Sequence, residues 1–224
     1  MEKRKTATIL GSTGLIGSHI LKLLNDDDHF ESIRLITRRP LSYDHPKLDI
    51  RVIDFEDESQ FREAIRGTDV IFCAVGTTNK KVEGDKEAYR KVDFDIPVNA
   101  ARHGAETGCE KYLLVSAIGA DVNSKIFYSR LKGEVEEAVA SCGIPSVSIF
   151  QPSMLLGDRD ESRPAESIGQ TLMKGLAFLI PSKYKPIKAS DVAEAMVSAS
   201  KRNITGTHAY DYSGMKELIS KGEN

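Results

Sequence analysis

One pairing with chemical potential recurs in this chain: a tyrosine followed four positions later by a lysine, at Tyr43/Lys47, Tyr128/Lys132, Tyr184/Lys188 and Tyr212/Lys216. A tyrosine beside an ammonium can hand a proton to an oxygen that is turning negative, because the positive charge favours the phenolate left behind. Positions i and i+4 share a face only on a helix. Pro46 and Pro186 fall inside the first and third copies, and Gly214 in a short terminal segment weakens the fourth. Tyr128/Lys132 stands in an uninterrupted amphipathic stretch, Phe127 to Glu136. It follows a strand-like run that ends in Ser116-Ala117-Ile118-Gly119-Ala120, which puts a hydroxyl at a sheet edge where it can bond a carbonyl. Ser124 competes with Ser116 for that part.

A glycine-rich turn lies near the start. Gly11-Ser12-Thr13-Gly14-Leu15-Ile16-Gly17 follows the strand-like Thr6–Leu10 and opens a helical stretch. Glycine first in such a turn permits a tight bend, second lets backbone N–H groups approach a pyrophosphate, and third lets helix and strand pack closely. Three glycines also suit a turn without a ligand, but a strand before and a helix after are the context a dinucleotide site requires. The end of the second strand selects between dinucleotides. An acid there would accept from a ribose 2′-hydroxyl, whereas this chain has Thr37-Arg38-Arg39-Pro40 and no acid before Asp44. An arginine fork grips a phosphate, so NADP(H) is expected over NAD(H), the alternative being that Arg38 and Arg39 form a solvated pair. Asp54 and Phe55, just past the third strand, are placed to meet an adenine edge and face; Phe55 suits a core position equally well.

These groups need a scaffold, and the rest of the sequence describes one. Strand-like runs at Thr6–Leu10, Ser32–Thr37, Asp49–Ile53, Val70–Ala74, Tyr112–Val115 and Ser146–Phe150 alternate with helical stretches at about Leu15–Leu24, Ser59–Ile65, Lys86–Glu106 and Phe127–Ala140. That order predicts a doubly wound α/β fold, a parallel sheet buried on both faces. After Phe150 the rhythm breaks: Gln151–Ser167 is polar and irregular, Ile168–Ala177 and Asp191–Ser200 read as helices, Thr207–Tyr210 as a short end piece, and Ser220–Asn224 as frayed. Ligands of such folds sit outside the carboxyl ends of the strands, so residues 151–224 are expected to form a small lobe over a substrate cleft within a single domain.

Composition bounds the function. The 224 residues, 40% hydrophobic and 29% charged, describe a globular chain with room for one large domain. With 31 basic side chains against 33 acidic ones, no global field calls for nucleic acid. Cys73, Cys109 and Cys142 are odd in number, lack metal-ligand spacing and lie in apolar runs, which reads as buried thiols in a reducing compartment. The five histidines are scattered and no metal is expected. The charged start, Met1 to Lys5, leads into a short strand-like run rather than a signal peptide or a membrane span, so the cytoplasm is the default and no membrane is expected as a partner. A small-molecule substrate is expected, and Lys80, Lys81, Arg159 and Arg163 either bind its anionic group or are solvated loop residues.

With the glycine turn, Ser116 and Tyr128/Lys132 in order, the chain resembles the short-chain dehydrogenase/reductase superfamily, and within it an atypical branch similar to the Tat-interacting-protein oxidoreductase and its bacterial relatives. The resemblance runs from about Thr8 to Glu166 and includes Gly76-Thr77-Thr78-Asn79-Lys80-Lys81, Leu114 to Asp121, and Leu156-Gly157-Asp158-Arg159 followed by Glu161 and Arg163. It implies a Rossmann-type domain binding NADP(H), with Gly11, Ser12, Gly14, Leu15, Ile16 and Gly17 at the pyrophosphate and Arg38 at the 2′-phosphate. Val75, Gly76 and Thr77 would line the ribose next to the nicotinamide. Tyr128 would be the acid/base, and Lys132 would hold both the tyrosine and the ribose hydroxyls. Two departures stand out: Gln151 precedes Pro152 where relatives often carry arginine, and Asp93 stands near an asparagine that elsewhere serves a proton relay. The implied activity is hydride transfer to or from a small carbonyl-type substrate. Some relatives are NADP(H)-sensing regulators and others nucleotide-sugar epimerases, so both stand as alternatives. Many relatives also pair the helices expected at Lys86–Glu106 and Phe127–Ala140 across a homodimer.

Overall fold

The computed structural model describes residues 4–156 and 181–222. In chain order its strands are β1 (Lys5–Leu10), β2 (Phe30–Thr37), β3 (Leu48–Val52), β4 (Val70–Cys73), β5 (Lys111–Val115), β6 (Ser146–Phe150), β7 (Leu155–Leu156), β8 (Ile187–Lys188) and β9 (Gly206–Tyr210). The helices are α1 (Leu15–Asn25), α2 (Glu58–Ile65), α3 (Lys86–Arg90), α4 (Ile96–Glu106), α5 (Phe127–Ala140), α6 (Ala189–Lys201) and α7 (Tyr212–Ser220). Seven strands form one parallel sheet in the order β3-β2-β1-β4-β5-β6-β9, while β7 and β8 make a separate short parallel ladder.

The apolar strand sequences follow from burial on both faces. In β4, Val70 and Phe72 enter a core shared with α1, α6 and α7, while Ile71 and Cys73 enter one shared with α2, α4 and α5. Successive strand side chains point to opposite faces, so every residue of β4 is buried. Each Phe, Leu or Ile so enclosed contributes about 1.5–3 kcal/mol. The strand order reverses between β1 and β4: β2 and β3 follow to one side, β5 and β6 to the other. The loops after β1 and β4 therefore diverge and open a crevice at the carboxyl edge of the sheet.

Several boundaries depart from expectation. Lys86–Glu106 is not one helix: a π-helical turn, Lys91–Asp95, separates α3 from α4, and the Ile96 N–H bonds back five residues to the Lys91 carbonyl. The cause is Pro97, which has no N–H to return to the Asp93 carbonyl. The end piece at Thr207–Tyr210 is the seventh strand of the main sheet, paired in parallel with β6. Tyr212–Ser220, expected to be too short and glycine-weakened, is a helix capped by the Asp211 carboxylate, which accepts from the Gly214 N–H at 3.0 Å. Helical register therefore does not set the fourth tyrosine/lysine pair apart. What does is that Lys216 is turned to an ion pair with Asp191 at 3.1 Å. Of the three thiols, Cys73 and Cys109 are buried but Cys142 is only half-buried, because it follows the end of α5. Both α6 and α7 pack with α1 in the core on one face of the main sheet. The helix read at Ile168–Ala177, together with Arg159 and Arg163, lies outside the described residues.

Candidate active site

The glycine turn sits where β1 delivers it, on one wall of the crevice. Gly11 has φ +85°, and a Cβ there would lie 2.7 Å from the Ala74 carbonyl oxygen. A Cβ on Gly17 would come within 2.1 Å of the Gly11 oxygen, so helix and turn touch backbone to backbone. Gly14 differs: a Cβ there would meet only Gly11 O at 3.2 Å and Ala74 O at 3.9 Å. Its glycine is thus needed less for packing than the other two. Gly14 caps α1 without a side-chain bond, so the N–H groups of Leu15, Ile16 and Gly17 have no acceptor within the helix. Such an end presents donors and a positive dipole to an anion. Ser12 is buried beneath this turn.

At the end of β2, Arg38 and Arg39 are exposed, and the turn is shaped by Thr37, whose Oγ1 bonds the Arg39 backbone at 3.0 and 3.3 Å. Asp54 is exposed and its carboxylate accepts from the Glu56 N–H at 2.9 Å. Phe55 is half-buried and packs edge-on against Phe61 with ring centroids 5.0 Å apart, so most of its surface serves the core. On the opposite wall, β4 runs into Val75, Gly76 and Thr77. Thr77 is pinned at both backbone groups: its N–H donates to Asp93 Oδ2 at 2.7 Å and its carbonyl accepts from Tyr89 Oη at 3.3 Å.

Ser116 follows β5 directly, and its Oγ is buried with no hydrogen-bond partner among the described residues. An orphaned buried hydroxyl costs on the order of 1–3 kcal/mol, which a bound polar group would relieve. Ser124 is engaged locally, its Oγ accepting from the Ile126 N–H at 3.2 Å. Of the two serines, Ser116 is the one whose buried Oγ neither donates nor accepts among the described residues. The loop between them lies on α5 because Gly133 lacks a side chain; a Cβ there would stand 2.4 Å from the Val122 nitrogen. No motif or spacing in the sequence marks Gly133 for that contact.

Tyr128, in the first turn of α5, is 41% exposed and faces Tyr89 edge-on at 6.5 Å. One turn on, Lys132 is buried, with its Nζ 5.9 Å from the Tyr128 ring centroid. The ammonium donates to Asp93 Oδ1 at 2.9 Å. Burial alone would pull the Lys132 pKa down; the adjacent Asp93 carboxylate, helped by Tyr128, more than reverses this and holds it above the usual lysine value. Asp93, noted in the sequence only as a departure, is the direct partner of Lys132. The legible signal for it was Pro97, which marks the broken helix that presents it.

An uncapped helix end, two exposed arginines, a buried serine hydroxyl and a buried ammonium near the carboxyl edge of the sheet suit a dinucleotide. A family model described as NAD(P)H-binding matches residues 11–203. The chain belongs to that family. It is 34% identical over 206 residues to "Protein FMP52, mitochondrial" of Candida albicans, covering 88% of this chain and 89% of that one. It is also 34% identical over 199 residues to "Protein HTATIP2" of Rattus norvegicus, covering 88% and 81%. Among solved structures, a UDP-N-acetylglucosamine 4-epimerase from Methanobrevibacter ruminantium aligns with TM-score 0.71 at 16% identity, covering 97% of this chain and 81% of that one. The Bordetella bronchiseptica enzyme WbmH in complex with NAD+ aligns with TM-score 0.69 at 18% identity, covering 97% and 80%. At these identities the two structures establish the shared Rossmann-type fold.

Proposed function

We propose that this family member is an NADP(H)-dependent oxidoreductase acting on a small carbonyl-type substrate, with Tyr128 as acid/base, Lys132 as its cationic support and Ser116 as the hydroxyl that polarises the carbonyl. The observation that carries the reading is the buried Ser116 Oγ just past β5, without a partner among the described residues, followed in the chain by Tyr128 and Lys132 on one helix face. Bound NADPH would supply the hydride. In reduction, the Tyr128 hydroxyl donates its proton to the carbonyl oxygen as negative charge develops there. The Lys132 ammonium stabilises the resulting phenolate, and the Ser116 hydroxyl donates to the same substrate oxygen. Gly11, Ser12, Gly14, Leu15, Ile16 and Gly17 receive the pyrophosphate, and Arg38 the 2′-phosphate. Asp54 meets the adenosine side, and Val75, Gly76 and Thr77 flank the nicotinamide ribose. The preference for NADP(H) over NAD(H) rests on Arg38 and Arg39 standing where an acid would favour NAD(H).

A second reading is an NADP(H) sensor without turnover, in which Tyr128 and Lys132 are structural. Both readings share one test: calorimetric titration with NADPH and NADH in parallel, suited to a chain without tryptophan. Micromolar NADPH binding with much weaker NADH binding supports them; absence of binding to protein purified free of nucleotide removes both. Consumption of NADPH absorbance with a panel of small carbonyls then separates enzyme from sensor. The free thiols suit a reducing compartment, a condition met by the cytoplasm we favour and by the mitochondrion in the Candida relative's name. Pairing of α4 and α5 across a homodimer belongs to the same proposal and is checked by sedimentation.

A further inference from the structure

Asp93 lies on the π turn between α3 and α4 and is 1% exposed. Both of its carboxylate oxygens are engaged, Oδ1 by Lys132 Nζ at 2.9 Å and Oδ2 by the Thr77 N–H at 2.7 Å. One buried anion thus joins α5, which carries the acid/base pair, to the loop after β4, which forms a wall of the nucleotide crevice. Neighbouring cations on the same segment are committed to other carboxylates, Arg90 to Glu134 at 2.6 Å and Lys91 to Glu56 at 2.8 Å. A buried ammonium without a counter-charge sheds its proton, and a neutral lysine cannot stabilise a phenolate or donate three hydrogen bonds. With one Nζ hydrogen directed to Asp93, two remain for the side facing Tyr128 and the crevice.

We propose that Asp93 is a positioning residue for the Tyr128/Lys132 pair: its carboxylate keeps Lys132 charged at depth and ties that ammonium to the Thr77 wall, so that one anion organises both proton transfer and cofactor grip. The inference rests on the acid/base reading of Tyr128 and Lys132. It goes beyond packing, because an asparagine of the same size could accept from only one of the two donors and could not hold the charge.

The test uses full-length protein labelled with 13C-lysine, with the Lys132 Cε resonance identified by its absence in Lys132→Met. In the wild type, without nucleotide, Lys132 is expected to titrate above the ordinary lysine value of about 10.4. In Asp93→Asn its midpoint is expected to fall by more than about one pH unit, whereas Asp93→Glu retains a high midpoint. Calorimetry with NADPH is the second readout: the Asp93→Asn affinity should decline as pH rises through the lowered Lys132 midpoint, while the wild-type affinity stays level over that range. A wild-type Lys132 midpoint at or below the ordinary value overturns the inference, and this needs no variant to fold. So does an Asp93→Asn protein with an unchanged midpoint or a wild-type pH dependence of NADPH affinity. Failure of the wild type to bind NADPH at all would instead remove the proposed function, and the lysine titration would still decide the ion pair.

Discussion

Tyr128 and Lys132 occupy one helix face, yet their surroundings differ sharply: the phenol is partly exposed and the ammonium is buried against a carboxylate. Such asymmetry suits a group that must reach substrate and a group that must only support it. Tyr128→Phe removes the exchangeable proton and little else, so turnover of a carbonyl substrate should fall about 10²- to 10⁴-fold while calorimetric NADPH affinity changes less than about threefold. Equal turnover in the variant would take Tyr128 out of the chemistry. The arginines divide differently. Arg34 and Arg38 are four residues apart, yet Arg34 is buried and donates to Asp49 and to the Ala64 and Arg66 carbonyls, tying β2 to β3 and to the end of α2. Arg38, just past the end of β2, is exposed. Arg38→Ala should weaken NADPH binding about 10- to 100-fold, the scale of a lost charge-assisted bond, and leave NADH binding nearly unchanged. A parallel loss for both nucleotides would contradict the assigned 2′-phosphate contact.

At the scale of elements, the β1–α1 unit separates glycines needed for the fold from one open to ligand. A methyl group on Gly17 would collide with the Gly11 carbonyl, and no flexible side chain is there to yield. Gly17→Ala should therefore cost more than about 3 kcal/mol in urea denaturation, or fail to yield folded protein. Gly14→Ala meets only a tight 3.2 Å contact and should remain folded while losing NADPH affinity, a separation that denaturation and calorimetry together would reveal. If Gly14→Ala binds NADPH as the wild type does, the turn is not the pyrophosphate site. The π turn is the other decisive element. Pro97 leaves the Asp93 carbonyl without its helical donor, and the backbone absorbs one extra residue there. That local irregularity sets Asp93 against Lys132.

For the molecule as a whole, the core between the sheet and α2, α4 and α5 contains a titratable group with no part in the site. His103 is fully buried beside Phe61, and its Nε2 has no partner among the described residues. Burial holds its pKa below the usual histidine value, against the weaker pull of Glu106 at 3.5 Å and with Arg102 and Arg62 acting in the same direction as burial. The unfolded chain binds a proton near pH 6.5 that the folded chain resists, so this contribution to stability is present above that pH and is lost as pH falls through it. Urea midpoints measured from pH 7.5 to 5.5 should therefore fall more steeply for the wild type than for His103→Gln, by at most about 1.4 kcal/mol per pH unit for one proton. Equal slopes would show that folding leaves the proton affinity of His103 unchanged.

The doubly wound sheet was legible because strands buried on both faces are rich in apolar residues, continuously so in β4, and because turns that bend backbone onto backbone admit only glycine, as at Gly11 and Gly17. The Tyr128/Lys132 pair was legible because helical spacing is a local property. Contacts across the sheet left no such trace. That Lys132 meets Asp93, that the buried Ser116 Oγ neither donates nor accepts among the described residues, that Gly133 seats a loop, and that Thr207–Tyr210 completes the sheet all depend on which distant segments the packing brings together. Local spacing sets the conformation of each element; only the close packing of those elements determines which buried charge finds its counter-charge and which polar atom is left for a ligand.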